Sequence, residues 1–486
     1  MARPGRVGPT IPICLDKMCQ MVAGFLPGAF PEGATMVQRV VVVGAGFAGF
    51  ETVRRLERTL GPREAEIVLV SPMDYMVYRP LLPQVAAGVL SSRTTAVPLH
   101  RMFKRTHVLP GGAIGVDLAA KVCVVRKISG DITNEHYDKL VLAPGSVTRT
   151  FDIPGLTTYG HGMKNLAEAV YLRDHVIAQL EIANSSTDPA ERASRCQFIV
   201  VGGGYAGVET AACLEMLTTN SLRHFPRLDP ARVRWMIVDV APRLMPELGE
   251  NLGKATLQML AKRGVDVRLG ISVREITEDS VTLTTGEKLP CRTLVWTAGV
   301  TASPLMSTTG TELVRGRLAV AADLAVPGHP DVFALGDAAA VPDLAKGNGA
   351  ICPPTAQYAH RQAKIAAANV VASLRGQRMS PFRHKDLGLV VDLGGTQAVA
   401  RPLGYELRGL PAQAITRGYH LMTVPSIRAR TRVLSNWVQH AFAGDDLVRL
   451  GFMSDLDGRM GNLEKTDAYL SANEITARTG SRAAHP

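Results

Sequence analysis

Arg39-Val40-Val41-Val42-Val43-Gly44-Ala45-Gly46-Phe47-Ala48-Gly49-Phe50-Glu51-Thr52 reads as a buried strand, a glycine-rich turn and the first turn of a helix. The apolar run Val40–Val43 suits a parallel strand covered on both faces. Gly44 allows the tight turn, Gly46 a close backbone approach to a pyrophosphate, and Gly49 close packing of helix on strand. The helix N-terminus offers unpaired N–H groups and partial positive charge to that pyrophosphate. Such turns also occur without a ligand, so one copy decides little. The chain holds a second: Gln197-Phe198-Ile199-Val200-Val201-Gly202-Gly203-Gly204-Tyr205-Ala206-Gly207-Val208-Glu209-Thr210, alike down to the Glu-Thr that follows. Two dinucleotide folds imply two nucleotides, and the common chemical reason is a flavin in one and a nicotinamide in the other.

The 486 residues suffice for two or three domains, and 46% hydrophobic with 20% charged residues excludes disorder as the main state. The net charge of +11 points to an acidic partner surface without choosing between anionic lipid and nucleic acid. Seven cysteines, at 14, 19, 123, 196, 213, 291 and 352, include no C-x-x-C pair, which argues for a reducing compartment and against a disulfide framework. No metal-ligand cluster is visible. No apolar run reaches the roughly 18–20 residues of a spanning helix. Residues 1–36 form an extension to which no function is assigned. Asp16, Lys17 and Gln20 interrupt its apolar stretch, a poor pattern for a secretory signal, and Met36 just before the first strand marks an alternative start.

After the first turn a helix is expected from Ala48 to about Leu60 and a strand over Glu66–Val70. That strand ends in Ser71, whose hydroxyl suits a ribose but brings no charge. The loop Tyr75–Gly88 is punctuated by Pro80 and Pro83 and reads either as a helix entry or as a cofactor-side loop with Arg79 near phosphates or ring. Residues 113–150 alternate like short antiparallel strands and close on Lys139-Leu140-Val141-Leu142-Ala143-Pro144-Gly145-Ser146. Residues 271–299 repeat the plan, with the turn Thr285-Gly286 and the return strand Thr293-Leu294-Val295-Trp296-Thr297-Ala298-Gly299. The duplication therefore extends beyond the glycine turns. In the second unit the strand Val233–Val238 ends in Asp239, whose carboxylate would accept a ribose hydroxyl and repel a 2′-phosphate. This favours NADH over NADPH, with Arg243 nearby as a softening charge. Gly336-Asp337 closes a short strand where an acid would accept a ribityl hydroxyl. Pro353 and Pro354 preset a helix from about Ala356 to Leu374, whose positive end, with Gln357, would face a flavin pyrimidine ring.

These segments together resemble the type II NADH:quinone dehydrogenases, membrane-associated flavoproteins without a proton pump. The likeness rests on both glycine turns, Arg79-Pro80-Leu81-Leu82 with Gln84-Val85-Ala86, Val295–Val300 with Ala302-Ser303-Pro304, Gly336-Asp337 and Ala356-Gln357. Three positions depart from the family's pattern: Ser71 stands for an acid, Met76 for a histidine and Arg361 for a second glutamine associated with quinone approach. The resemblance implies an α/β fold of two Rossmann-like dinucleotide-binding domains, glutathione-reductase-like. Residues 37–160 and 322–375 would bind FAD, 161–321 would be the inserted NADH domain, and 376–486 an α+β region for membrane association or dimerisation. Cofactor contacts are expected on the FAD side from Gly44, Ala45, Gly46, Phe47, Ala48, Gly49, Ser71, Arg79, Ala143, Gly145, Gly336, Asp337, Ala356 and Gln357. On the NADH side they are expected from Gly202, Gly204, Tyr205, Gly207, Glu209, Asp239 and Gly299. Glu209 and Gln357 are the expected catalytic residues, Glu209 positioning nicotinamide and relaying protons. Glu51, its counterpart in the first unit, is assigned a structural or adenosine-side role.

A helix is expected after Pro425, with Ile427, Leu434, Val438, Ala441 and Phe442 on one face, widened by Val433 and Trp437 and flanked by Arg428 and Arg432. That pattern suits an interfacial helix, and equally a helix docked on its own protein or on a second subunit. With the resemblance it implies a peripheral protein on the cytoplasmic face of the cell membrane, acting on a membrane quinone, with an anionic membrane surface and a second copy of the chain as partners. Nucleic acid is not expected, since no recognition motif or aromatic-basic interleaving is present. The rival readings are a sulfide:quinone reductase, which requires redox-active cysteines at the flavin, a reductase of a small electron carrier, and a basic NADH-sensing binding protein.

Overall fold

The computed structural model describes residues 37–463 and 469–480; the extension 1–36, with Cys14 and Cys19, lies outside them. Strand β1 (Gln38–Val43) buries all four of its valines. It turns at Gly44 into helix α1 (Phe47–Thr59) and pairs in parallel with β2 (Ala65–Ser71), Val40 opposite Ile67. The loop that follows holds a short helix, α2 (Leu82–Ala86), buried throughout.

Strand β3 (His107–Asp117) begins earlier than the alternation suggested. Its first residues pair in parallel with β2, His107 opposite Val68, and its later ones antiparallel with β4 (Val122–Lys127). Pro110-Gly111-Gly112 hides this strand from a hydrophobic pattern. Glycine is required there, because a Cβ on Gly111 would sit 2.6 Å from the Arg126 carbonyl oxygen. β5 (Ile132–His136) completes the excursion, and β6 (Lys139–Leu142) returns beside β1.

Helix α3 (Leu166–Ser185) starts with a capping box formed by Asn165 and Glu168. It leads to the second nucleotide unit: β7 (Gln197–Val201), α4 (Tyr205–Ser221), β8 (Arg234–Asp239) and β9 (Thr293–Trp296). β10 (His329–Ala334) then rejoins the first sheet and leads to α5 (Ala356–Leu374), packed along α1. The first sheet runs Ala325–Val326, β10, β6, β1, β2, β3, β4, β5; the second runs Gly160–His161, β9, β7, β8, Asp266–Leu269. Gly160 thus pairs with Leu294 in the second sheet rather than in the first. The second excursion forms a sheet of its own, Val273–Ile276, Ser280–Leu283 and Lys288–Pro290.

The last region is a three-stranded meander, β11 (Val390–Asp392), β12 (Ala398–Ala400) and β13 (Leu407–Arg408), followed by helices α6 (Leu410–Thr423) and α7 (Ile427–Ala443). Asp392 ends β11, and the turn runs through Leu393–Gln397. Helix α6 was not expected. On α7 the apolar stripe divides. Ile427, Leu434, Val438 and Phe442 are exposed, Phe442 at 90%, whereas Val433 and Trp437 are buried with Ala429 on the inward side. Val433 and Trp437 therefore do not widen the outward stripe. At 100° per residue they stand a quarter-turn away from Leu434 and Val438, enough to face the body. Among the described residues no helix is long and apolar enough to cross a membrane.

Candidate functional site

Each glycine turn is closed by the backbone it packs against. A Cβ on Gly49 would run into the Gly44 carbonyl oxygen, and one on Gly207 into that of Gly202. Gly44 holds φ +96° and faces the Ala143 carbonyl, and Gly202 holds φ +121° against Thr297. By contrast, a Cβ on Gly46 or Gly204 would meet nothing within 4 Å. Both residues cap their helices, α1 and α4, without a side-chain hydrogen bond, and neither first turn carries an acid. Open space and free N–H groups at the two helix starts fit a dinucleotide pyrophosphate at each turn.

Around the first turn, Ala143 and Gly145 follow β6, and Gly145 accepts from the Ser303 N–H at 3.1 Å. Gly336 lies against both nucleotide-side helices: a Cβ there would stand 3.3 Å from Ala48 and 3.6 Å from Ala359. Asp337 accepts from the Ser146 hydroxyl at 2.7 Å. Gly336, Asp337, Ser146 and the starts of α1 and α5 therefore converge. Ser71 is buried, and its hydroxyl is engaged in its own turn, donating to the Met73 carbonyl at 2.8 Å. Arg79 opens a 3₁₀ turn, is exposed and makes no ion pair among the described residues. Glu51 is buried and pairs with Arg54 at 2.5 Å and Arg55 at 2.7 Å, consistent with a structural role.

Around the second turn, Asp239 ends β8. Its Oδ2 accepts from the Gly203 N–H and its Oδ1 from Ala241 N–H at 2.7 Å, so the acid holds the turn as well as facing it. Gly299, at φ +95°, accepts from Arg149 N–H at 3.2 Å. Tyr205 is half-buried at the start of α4.

Glu209 is 8% exposed in the first turns of α4. Burial, then the neighbouring Asp392 charge, push its carboxyl up to about 8, against one opposing hydrogen bond from Asp392 N–H at 2.9 Å. The acid is thus largely protonated at neutral pH. Four residues that sequence reading passed over as site members form a hydrogen-bonded network that reaches it through Asp392: Gln84 on α2, Asp392 on β11, Gln413 on α6 and Trp437 on α7. Gln84 Nε2 donates to Asp392 Oδ2 at 2.7 Å, Gln413 Nε2 to Asp392 Oδ1 at 3.2 Å, and Trp437 Nε1 to Gln84 Oε1 at 2.7 Å. Tyr78, in the Arg79 loop, packs edge-on against Phe47 at 5.5 Å, and its hydroxyl lies 3.1 Å from His420 Nδ1 on α6. Burial pushes the His420 imidazole down to about 4, leaving it neutral. No local pattern showed that these residues meet, because their partners lie about 20 to 350 positions away.

At α5, Gln357 is half-buried. With its amide oriented to suit its neighbours, it donates to Asp386 at 3.1 Å and accepts from Arg361 Nη1 at 3.3 Å. Arg361, in place of a glutamine, is therefore held by Gln357 itself. The five described cysteines are free and buried. Cys352, near α5, is 1% exposed with its thiol pushed up to about 11 by burial, unlike a redox-active sulfur.

The sequence profile of the pyridine nucleotide-disulphide oxidoreductases matches residues 38–363. The chain is 32% identical over 415 residues to a type II NADH:quinone oxidoreductase of Mycobacterium tuberculosis, covering 82% of this chain and 87% of that protein. It is 27% identical over 380 residues to the type II NADH:quinone oxidoreductase of Staphylococcus saprophyticus, covering 77% of this chain and 92% of that one. Among solved structures it is similar to NDH2 from Plasmodium falciparum in complex with NADH, with a TM-score of 0.79 at 19% identity, covering 85% of this chain and 99% of that one.

Proposed function

The chain belongs to the pyridine nucleotide-disulphide oxidoreductases and, among them, to the type II NADH:quinone oxidoreductases, and from that premise we propose how its own residues serve the reaction. It is an FAD-dependent enzyme in which NADH, a quinone and one proton give NAD⁺ and the quinol. FAD, when bound, supplies the hydride acceptor and two-electron donor.

Gly44, Ala45, Gly46, Phe47, Ala48 and Gly49 present the α1 N-terminus to the FAD pyrophosphate. Asp337, held by Ser146, accepts a ribityl hydroxyl, while Gly336, Ala143 and Gly145 leave room for that chain. Ala356 and Gln357 bring the α5 N-terminus to the flavin ring, and Arg79 is free to reach the phosphates. Ser71 shapes this wall through its turn. Gly202, Gly204, Tyr205, Gly207 and Gly299 cradle NADH, and the Asp239 carboxylate accepts its ribose hydroxyl. Glu209 holds and delivers the proton the quinol requires, and Gln357, with Arg361, lines the quinone approach. In domain terms, 37–160 and 322–375 serve FAD, 161–321 serves NADH, and 376–486 serves membrane association or dimerisation.

The observation that carries this reading is the buried Glu209 carboxyl, two residues after the second glycine turn and bonded to the backbone of the buried Asp392. The test is anaerobic addition of NADH to the yellow protein, then of a short-chain quinone. Bleaching followed by rapid return of colour is expected. Bleaching without reoxidation would remove quinone as acceptor, with Arg361 the first position to vary.

For the membrane, α6 and α7 expose Leu410, Met422, Ile427, Leu434 and Phe442 beside Arg428 and Arg432. An apolar face edged by arginines, on a chain of net charge +11, fits a peripheral anionic surface. Free thiols suit its cytoplasmic side. Ile427→Ser with Phe442→Ser should lower co-sedimentation with anionic vesicles several-fold while leaving NADH-dependent bleaching unchanged. For a homodimer, exposed Val448, Phe452 and Leu456, on the segment that runs along α3 through Arg173 and Asp174, form the candidate surface. Sedimentation in the absence of lipid tests it.

A further inference from the structure

Trp437 determines which way a buried chain of hydrogen bonds points. Its indole Nε1–H is a donor only, so the Gln84 atom 2.7 Å away is the amide oxygen. The Gln84 amide nitrogen then faces Asp392, donating to Oδ2 at 2.7 Å. The other Asp392 oxygen, Oδ1, accepts from the Gly394 backbone N–H at 2.8 Å and from Gln413 Nε2 at 3.2 Å. Every direct partner of this carboxyl is a donor, the arrangement of an ionised carboxylate. Glu209 receives one donor, Asp392 N–H at Oε1, and Oε2 has no hydrogen-bond partner among the described residues. Two buried acids thus lie side by side, one with three donors aimed at it and one with a single donor.

We propose that Asp392 is a positioning residue for Glu209: its donor-saturated carboxylate is the fixed buried anion that keeps the proton on Glu209, and its backbone N–H holds Oε1 so that Oε2 carries that proton. This rests on the proton-delivering role of Glu209 given above. The charged and titratable groups facing the pair are Arg417 on α6, Cys213 on α4, Arg263 near Cys213, and Tyr78. Burial pushes the Asp392 carboxyl up as well, against Gly394 N–H, Gln413, Arg417 and Gln84. The proton is assigned to Glu209 because Asp392 alone is ringed by donors. A neighbouring anion in a water-poor site disfavours a second one, so removing it lowers the pH at which Glu209 ionises.

The test uses the FAD-loaded enzyme and two readouts: the pH titration of the protonated-carboxyl infrared band, and the alkaline limb of quinone reduction. The band is assigned by its loss in Glu209→Gln. In Asp392→Asn, both are expected to shift to lower pH by about one unit, a tenfold change in proton affinity. Asp392→Ser, which also removes the charge, should shift the same way and serves if the asparagine variant does not fold. A band that titrates at the wild-type pH in a folded Asp392 variant would overturn the proposal and leave Glu209 in its role. A band and limb unaltered in Glu209→Gln would overturn the role of Glu209 itself, and this proposal with it.

Discussion

Trp437 on α7 donates its indole N–H to Gln84 Oε1 on α2, 353 residues earlier in the chain, at 2.7 Å. The adjoining side of α7, about a quarter-turn round, exposes Leu434, Val438 and Phe442. One helix therefore presents an apolar face outward and a directed hydrogen bond inward, to the residue that touches Asp392. Trp437→Phe keeps most of the buried surface but leaves Gln84 Oε1 unpaired. An orphaned buried acceptor costs about 1–3 kcal/mol. Denaturant unfolding of the FAD-loaded protein should show a loss in that range, and a wild-type midpoint would mean the bond contributes nothing.

Gly46 and Gly44 separate binding from folding. A Cβ on Gly46 meets no protein atom within 4 Å, whereas one on Gly44 would collide with the Ala143 carbonyl, at a φ of +96° that side chains rarely adopt. Gly46→Ala is expected to fold, with a melting temperature like that of wild-type apoprotein, but to lose most of its flavin. Gly44→Ala is expected to lose soluble folded protein altogether. Flavin absorbance per mole, measured beside thermal melting, distinguishes the two. Full flavin content in Gly46→Ala would count against a pyrophosphate there.

Asp239 should set the choice between nicotinamide cofactors. Asp239→Asn removes the charge that repels a 2′-phosphate but keeps an oxygen for one of the turn's N–H groups. The ratio of kcat/KM for NADH over NADPH should fall by roughly tenfold, about 1.4 kcal/mol. An unchanged ratio would place the ribose elsewhere.

Glu209 should make the protein less stable as pH rises. Its folded carboxyl titrates near 8, above the ordinary carboxylate range near 4.5. Between those values the folded state binds more protons than the unfolded one, so stability falls with increasing pH and the favourable contribution is gone above about 8. Glu209→Gln abolishes that slope. Relative to wild type, the variant's melting temperature should rise progressively from pH 5 to pH 9. A difference independent of pH would mean that Glu209 is ionised throughout.

What could be read from the chain alone was what depends on near neighbours. Runs such as Val40–Val43 and Phe198–Val201 dictate buried strands, and glycines at fixed offsets dictate turns in which Gly44 and Gly202 hold a backbone that side chains rarely adopt. Two nucleotide sites, the acid at Asp239, the Gly336-Asp337 pair and the helix at Ala356 all follow from spacing over a few residues. Tertiary structure decided the rest. Asp392 carries no local signal of a site, yet its N–H meets Glu209 across 183 positions and its carboxylate meets Gln84 across 308. Trp437 reads as part of an outward stripe, yet it is buried at 7% exposure. Helical periodicity shows which residues share a face but not what that face meets. That is set by how β11, α6 and α7 pack against the two nucleotide domains, a balance of long-range burial and polar satisfaction that no short window of sequence contains.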